Sequence, residues 1–197
     1  PNLSRYLKDS ERTGGEYLLG IPGTVGGAIK MNAGCYGYEF MDSVNFLTYF
    51  DTVDKKIKNI NRKNIKYSYR NTEIKNAIIL SANLSFIKED PKKINNKMIE
   101  FTKHRKNTQP SAIYNAGSVF KNGPNYYAAE LIERAGLKGY EIDGVKVSEK
   151  HSNFFIASKN AKALALYKLV KYVKEQVKLN YDIELKEEII FIGEFVD

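Results

Sequence analysis

The sequence predicts an α+β fold in two parts. Strand-like segments cluster as hairpins early in the chain, and long helical segments stand apart from them later, without regular strand–helix alternation. The length of 197 residues adds that there is room for one large domain or two small ones.

A glycine-rich stretch over residues 14–37 comes first. Val44-Asn45-Phe46-Leu47-Thr48-Tyr49-Phe50 follows, rich in aromatic and β-branched residues as strands are. Residues 55–60 suit its hairpin partner, and residues 77–87 suit another apolar strand. Asp90-Pro91 then offers an N-cap and a proline at the first helical position. Ile94, Met98, Phe101 and Arg105 share one helical face, the arginine through its stem. This helix is expected to end before Gln109-Pro110, with a domain boundary near residue 92.

The second part reads as mixed. Ala128, Leu131, Ile132 and Ala135 have helical spacing, and Gly136 follows as a stop. Val145 to Val147 and Asn153 to Ala157 suit short strands. Residues 161–178 form the longest helix, with Leu166, Leu169, Val170, Val173 and Val177 inward, and Ile189 to Ile192 suits a last strand.

Apolar residues make up 43% and charged residues 27%, a balance that excludes a disordered chain. No apolar run approaches the ~18–20 residues that a membrane span needs. The opening Pro1-Asn2-Leu3-Ser4 has no signal-peptide pattern and no initiator Met, so it reads as a chain already in progress. The net charge of +8 comes from lysines spread along the whole chain. A nucleic-acid interface would gather them with aromatics; the spread suits a solvated surface that can still attract an anionic nucleotide. Cys35 is the single cysteine, which rules out an internal disulfide framework and suits a reducing cytoplasm.

Four segments carry candidate chemistry. Gly20 to Gly34 (GIPGTVGGAIKMNAG) lacks the Gly-Lys-Ser/Thr of a P-loop and the spacing of a Rossmann turn. A structural turn cluster and a loop that lets a cofactor approach the backbone fit it equally. In Tyr67-Ser68-Tyr69-Arg70-Asn71-Thr72 the arginine could hold an anion or simply face solvent. In Asn115 to Asn122 (NAGSVFKN), Gly117 beside Ser118 could present a hydroxyl or merely turn the chain. A serine nucleophile would need a histidine and an orienting acid. Neither His104 nor His151 has that context, and no Gly-x-Ser-x-Gly elbow exists. In Leu185 to Gly193, Glu188 enters an apolar stretch, either as a solvated residue or as an acid held in a partly buried site. No Cys/His/Asp cluster has metal-ligand spacing, so no metal is expected.

Taken in order, these segments resemble the UDP-N-acetylenolpyruvoylglucosamine reductases, the MurB family. Gly20–Gly34 with Tyr36-Gly37 is similar to the family's flavin-domain signature, and Tyr69-Arg70-Asn71-Thr72 to its Tyr-Arg-x-Ser motif. Gly117-Ser118-Val119-Phe120-Lys121-Asn122 is similar to its proton-donor motif. Leu131 to Gly139 and Val147 to Phe154 resemble its C-terminal domain, and Leu185 to Gly193 its Leu-Glu-Pro-Glu strand.

The resemblance implies the second part of a VAO/PCMH-type FAD-binding domain over 1–91, with its first subdomain missing, and a MurB-type substrate-binding α+β domain over 92–197. It implies FAD and NADPH as cofactors, a UDP-sugar enolpyruvyl ether as substrate, and neither nucleic acid nor membrane as partner. The implied reaction is reduction of the enolpyruvyl ether to a lactyl ether in peptidoglycan precursor synthesis, hence in cell-wall biogenesis, cell shape and division. Gly20, Ile21, Pro22, Gly23, Thr24, Gly26, Gly27, Ala28 and Asn32 would contact the cofactor. Arg70 and Glu188 would stabilise an enol or enolate, Ser118 would deliver the proton, and Tyr69, Lys121 and Asn122 would meet the substrate.

Departures from the pattern are Thr72 for the usual serine, Lys186-Glu187 ahead of Glu188, and Gly123 inserted before Pro124. The family's N-terminal subdomain, with its pyrophosphate loop, has no counterpart ahead of the glycine-rich segment. Flavin affinity is therefore expected to fall, unless that segment acts in trans. The alternative reading is a non-catalytic remnant that binds a nucleotide or a protein partner.

Overall fold

A computed structural model describes residues 1–111 and 114–195. The chain forms two compact units, Pro1–Arg105 and Lys106–Asp197.

The first unit contains α1 (Asn2–Asp9), β1 (Arg12–Thr13), α2 (Val25–Lys30), β2 (Gly34–Cys35), β3 (Tyr38–Glu39), β4 (Val44–Asp51), β5 (Lys56–Asn61), β6 (Tyr67–Ser68), β7 (Asn71–Thr72), β8 (Ala77–Leu84), β9 (Ile87–Lys88) and most of α3 (Pro91–Thr108). Its main sheet has the order β5-β4-β8, all antiparallel. The reversal after β4 is fixed by the Asp51 carboxylate, which accepts from the Val53 and Asp54 amides. Side-chain alternation gives the sheet two faces. Leu47 faces Ile60 and Ala82 across the strands, and all three join the core with Ile29, Phe40 and Met41. Phe50 pairs with Ile57 and Ile78 on the other face, where those isoleucines are 66% and 57% exposed.

The expected strand over 77–87 is divided. β8 ends at Leu84, and β9 pairs with β1 instead. The boundary also differs from the one expected near 92. Ile94 and Met98 are buried, Phe101 stacks on Tyr36 with ring centroids 4.4 Å apart, and Arg105 reaches the Gly20 carbonyl. The apolar face of α3 thus belongs to the first unit almost to its end.

The second unit contains β10 (Asn115–Ser118), α4 (Ala128–Arg134), β11 (Glu141–Ile142), β12 (Val145–Val147), β13 (Phe154–Ala157) and α5 (Ala163–Tyr181). Its sheet has the order β10-β13-β12-β11, antiparallel throughout. The core joins Val119, Phe120, Ile132, Val147 and Phe155 to Leu169, Val170, Val173 and Val177 of α5. Leu166 packs at its margin, and Ala165 takes a buried place one residue earlier. α4 stops as expected: Gly136 has φ +72, and its N–H and that of Leu137 return to the Glu133 and Ile132 carbonyls.

Ile189–Ile192 is not a strand. Its chain makes one bridge, Phe120 with Glu187, and then bends so that the Glu188 and Ile189 amides both turn to the Val119 carbonyl. The apolar alternation is used without a partner strand. Ile189 and Phe191 pack against the core, while Ile190 and Ile192 are 75% and 88% exposed.

Candidate active site

In the first unit the glycine-rich segment is neither a plain turn cluster nor a loop throughout. Thr24 caps α2, its Oγ1 accepting from the Gly27 amide at 3.1 Å. Ile29 anchors the helix in the core, while Pro22, Gly23, Thr24 and Val25 are exposed. Gly23 has φ +118, and nothing lies within 4 Å of where its Cβ would stand. That open, left-handed backbone suits the close approach of a flat ring or an anion.

Gly20 has another reason to be glycine. A Cβ there would lie 2.5 Å from Arg105 Cδ and Nε. The Arg105 guanidinium is wedged against this backbone, donating to the Gly20 carbonyl and lying 3.8 Å from Cys35 Sγ. Its Nε is buried without a hydrogen-bond partner among the described residues. Burial pushes the Cys35 thiol up, opposed by Arg105 and Arg70. Burial also raises the Tyr17 phenol, with Cys35 adding to the effect.

Arg70 stands in the two-residue turn between β6 and β7 with φ +52. Its guanidinium lies over the Tyr69 ring at 4.7 Å and donates to the Gly34 carbonyl. The hairpin docks on the segment after α2. Thr72 Oγ1 donates to the Lys30 carbonyl at 2.8 Å, and Asn32 Nδ2 donates to the Ser68 carbonyl at 3.0 Å. Asn32 is fully buried, so its side chain serves these internal contacts rather than facing a ligand.

In the second unit Ser118 ends β10, half-buried, directly after Gly117 with φ +79. The backbone beyond it is held on both sides. The Val119 amide donates to the Asn153 carbonyl at 2.8 Å. The Asn153 side chain accepts from the Phe120 amide at 2.9 Å and donates to the Phe120 carbonyl at 2.8 Å, as a strand residue would. On the opposite side the Val119 carbonyl accepts from the Glu188 amide at 2.8 Å, and the Lys121 amide donates to the Lys186 carbonyl at 2.8 Å. The structure thus brings Ser118 and Glu188, distant in sequence, onto adjoining backbone. Glu188 is half-buried. Asn122 uses its Oδ1 to accept from the Ala128 amide at the start of α4.

Arg70 and the glycine-rich segment belong to the first unit, and Ser118, Lys121, Asn122 and Glu188 to the second. Sequence reasoning missed the supporting roles of Asn32, Thr72, Arg105 and Asn153. The available signals were polar residues inside apolar surroundings, Asn153 ahead of Phe154-Phe155 above all. Among the described residues, no group of three or more His, Cys, Asp or Glu is placed to hold a metal. No helix among them is long and apolar enough to cross a membrane.

The family model described as UDP-N-acetylenolpyruvoylglucosamine reductase, C-terminal domain, matches residues 109–192. A UDP-N-acetylenolpyruvoylglucosamine reductase of Caldanaerobacter subterraneus subsp. tengcongensis is 44% identical over 186 residues, 93% of this chain and 61% of the relative. One of Fervidobacterium nodosum is 41% identical over 185 residues, 92% of this chain and 59% of the relative. The crystal structure of the UDP-N-acetylenolpyruvylglucosamine reductase (MurB) from Thermus caldophilus superposes with a TM-score of 0.85 at 31% identity, covering 95% of this chain and 67% of that one. This chain belongs to the MurB reductase family. It spans about three-fifths of the length of the two curated relatives. The C-terminal match contains Ser118, Lys121, Asn122 and Glu188. Arg70 and the glycine-rich segment lie ahead of it, within the stretch that the relatives cover.

Proposed function

We propose that this chain carries the substrate-reducing residues of a flavin- and NADPH-dependent oxidoreductase of peptidoglycan precursor synthesis, acting on a UDP-sugar enolpyruvyl ether. The observation that best supports the reading is the tie from the Val119 carbonyl to the Glu188 amide, which brings the Glu188 backbone next to the residue that follows Ser118. The open backbone at Gly23 and the exposed Pro22–Val25 segment fit a flavin, and Gly20, Ile21, Gly26, Gly27 and Ala28 would complete its cradle. When bound, FAD supplies the relay of a hydride from NADPH to the vinyl carbon of the substrate.

The protein's own residues handle charge and the proton. Hydride addition leaves negative charge on the substrate carboxylate, which the Arg70 guanidinium, permanently charged, is suited to hold. Ser118 Oγ gives its proton to the carbon beside the one that receives hydride, so hydride and proton together saturate the double bond. A hydroxyl is a weak acid, but an enolate is a strong base, and positioning closes the gap. The Glu188 carboxyl group joins Arg70 in stabilising the enol or enolate. Tyr69 of the first unit and Lys121 and Asn122 of the second are the proposed substrate contacts.

The test separates the two half-reactions. Purified protein supplied with FAD should show the visible flavin band, bleach with NADPH and recover on addition of substrate. Ser118→Ala should leave bleaching intact and slow recovery by about 10²–10⁴-fold, the range for a general acid. Equal recovery rates for the two proteins would remove Ser118 from the mechanism. A colourless preparation that cannot be reconstituted would favour a binding role without turnover.

A further inference from the structure

We infer that Asn32 is a positioning residue for Arg70, holding the hairpin that carries the guanidinium; the catalytic consequence rests on the reading of Arg70 given above. A hairpin of two-residue strands is too short to fix its own orientation. β6 and β7 make only the pairs Tyr67–Thr72 and Ser68–Asn71. Tyr69 at the turn is exposed, and Arg70 beside it is in the left-handed region. The direction of the turn must therefore come from outside the hairpin.

Asn32 supplies it. The residue is 0% exposed, and its amide makes three hydrogen bonds to two separate segments. Nδ2 donates to Glu39 Oε2 at 2.9 Å and to the Ser68 carbonyl at 3.0 Å, while Oδ1 accepts from the Met41 amide at 3.1 Å. Such a buried amide is held in one orientation by the donors and acceptors around it, because a flip would set donor against donor. Asn32 itself has φ +44, a conformation asparagine tolerates better than most residues. The Met41 and Glu39 contacts fix the amide to the body of the unit, and the Ser68 contact passes that fixity to the hairpin. Thr72 ties the second strand to the Lys30 carbonyl, and Arg62 reaches the Tyr67 hydroxyl at the base. The Asn32 tie meets Ser68, the strand residue that directly precedes the turn. A side chain spent in this way has no donor left for a cofactor, which moves Asn32 from the cofactor-contacting set to the support of Arg70.

The Arg70 Nε–H resonance reports the docking in the ¹⁵N-labelled chain without cofactor, assigned by its loss in Arg70→Lys. Asn32→Ala should move this resonance toward the position of a solvated arginine and speed its exchange, while the Val44 and Leu47 amides stay in place. Thr72→Val should cause a smaller displacement in the same direction. An unmoved Arg70 resonance in Asn32→Ala overturns the inference. So does loss of the whole dispersed spectrum in Asn32→Ala with no displacement in Thr72→Val. In the NADPH-driven assay Asn32→Ala should lower kcat more than it raises KM, toward the ~10²-fold that a misplacement of about 1 Å can cost. If Arg70→Ala leaves kcat unaltered, the functional reading of Arg70 fails while the resonance result stands. If Arg70→Ala lowers kcat and Asn32→Ala does not, the positioning role fails alone.

Discussion

Arg70 and Ser118 are held in contrasting ways. In the first unit Arg70 sits on a miniature hairpin, docked by individual side-chain bonds from Asn32, Thr72 and its own guanidinium. In the second unit Ser118 ends a strand of a four-stranded sheet, and the residues after it are bonded on both sides, by backbone groups and by the Asn153 side-chain amide acting as a strand residue would. Val119 and Phe120 are at once the clamped residues and members of the core. The contrast teaches where each unit is vulnerable. Disturbing a dock re-aims one guanidinium, whereas disturbing the clamp exposes buried backbone groups and loosens the fold around them.

The largest effect should come from the clamp. Asn153→Ala leaves the Phe120 N–H and C=O buried without the amide that now satisfies both. The second unit should lose about 2–6 kcal/mol, since each of the two unsatisfied buried groups costs ~1–3 kcal/mol. Denaturant unfolding followed by a probe in each unit checks this; a similar loss in the first unit, or none in the second, breaks the comparison. Gly20→Ala comes next, in the first unit. The new methyl meets Arg105 Cδ and Nε, so overpacking should cost about 1–3 kcal/mol. In an Arg105→Ala background most of that cost should vanish, and a full cost in both backgrounds would show that the wedge is not the reason for this glycine.

Much of the fold was legible because its long elements carry compositional or periodic signals. The aromatic and β-branched composition of β4, the helical stripe of α5 and the glycine that stops α4 could all be read locally. β10 could not, because Asn115-Ala116-Gly117-Ser118 has little strand propensity and owes its pairing to β13. Ile189–Ile192 has the reverse fault: its composition suits a strand, but the available edge accepts only Glu187 before the chain bends. The candidate site divides in the same way. Arg70, Ser118 and Glu188 were found as members of ordered motifs. Asn32, Arg105 and Asn153 act through side-chain bonds to backbone far along the chain, and such bonds leave no spacing rule. Arg105 was read as a stem on a helix face, whereas its charged end is what meets Gly20.

The smallest effect tests the clamp from its neighbour. His151 lies in the turn that leads to Asn153, its ring edge-on to Phe154 at 4.8 Å, and its Nδ1 accepts from the Asn153 amide at 3.3 Å. Burial lowers its affinity for a proton, Lys138 reinforces the effect, and Glu133 and a backbone contact oppose it. The folded state therefore binds this proton less readily than the unfolded chain does. The sign follows from linkage: the contribution of His151 is fully present above the ordinary histidine value near ~6.5 and is lost as pH falls through the lowered folded value. Protonation also removes the acceptor that the Asn153 amide uses, so acid should loosen the turn that carries the clamp. The second unit should unfold more easily below that pH, while His151→Gln should flatten this part of the pH dependence. A wild-type stability curve parallel to that of His151→Gln across the range would separate the histidine from the clamp, leaving Asn153 to hold Phe120 through its own amide alone.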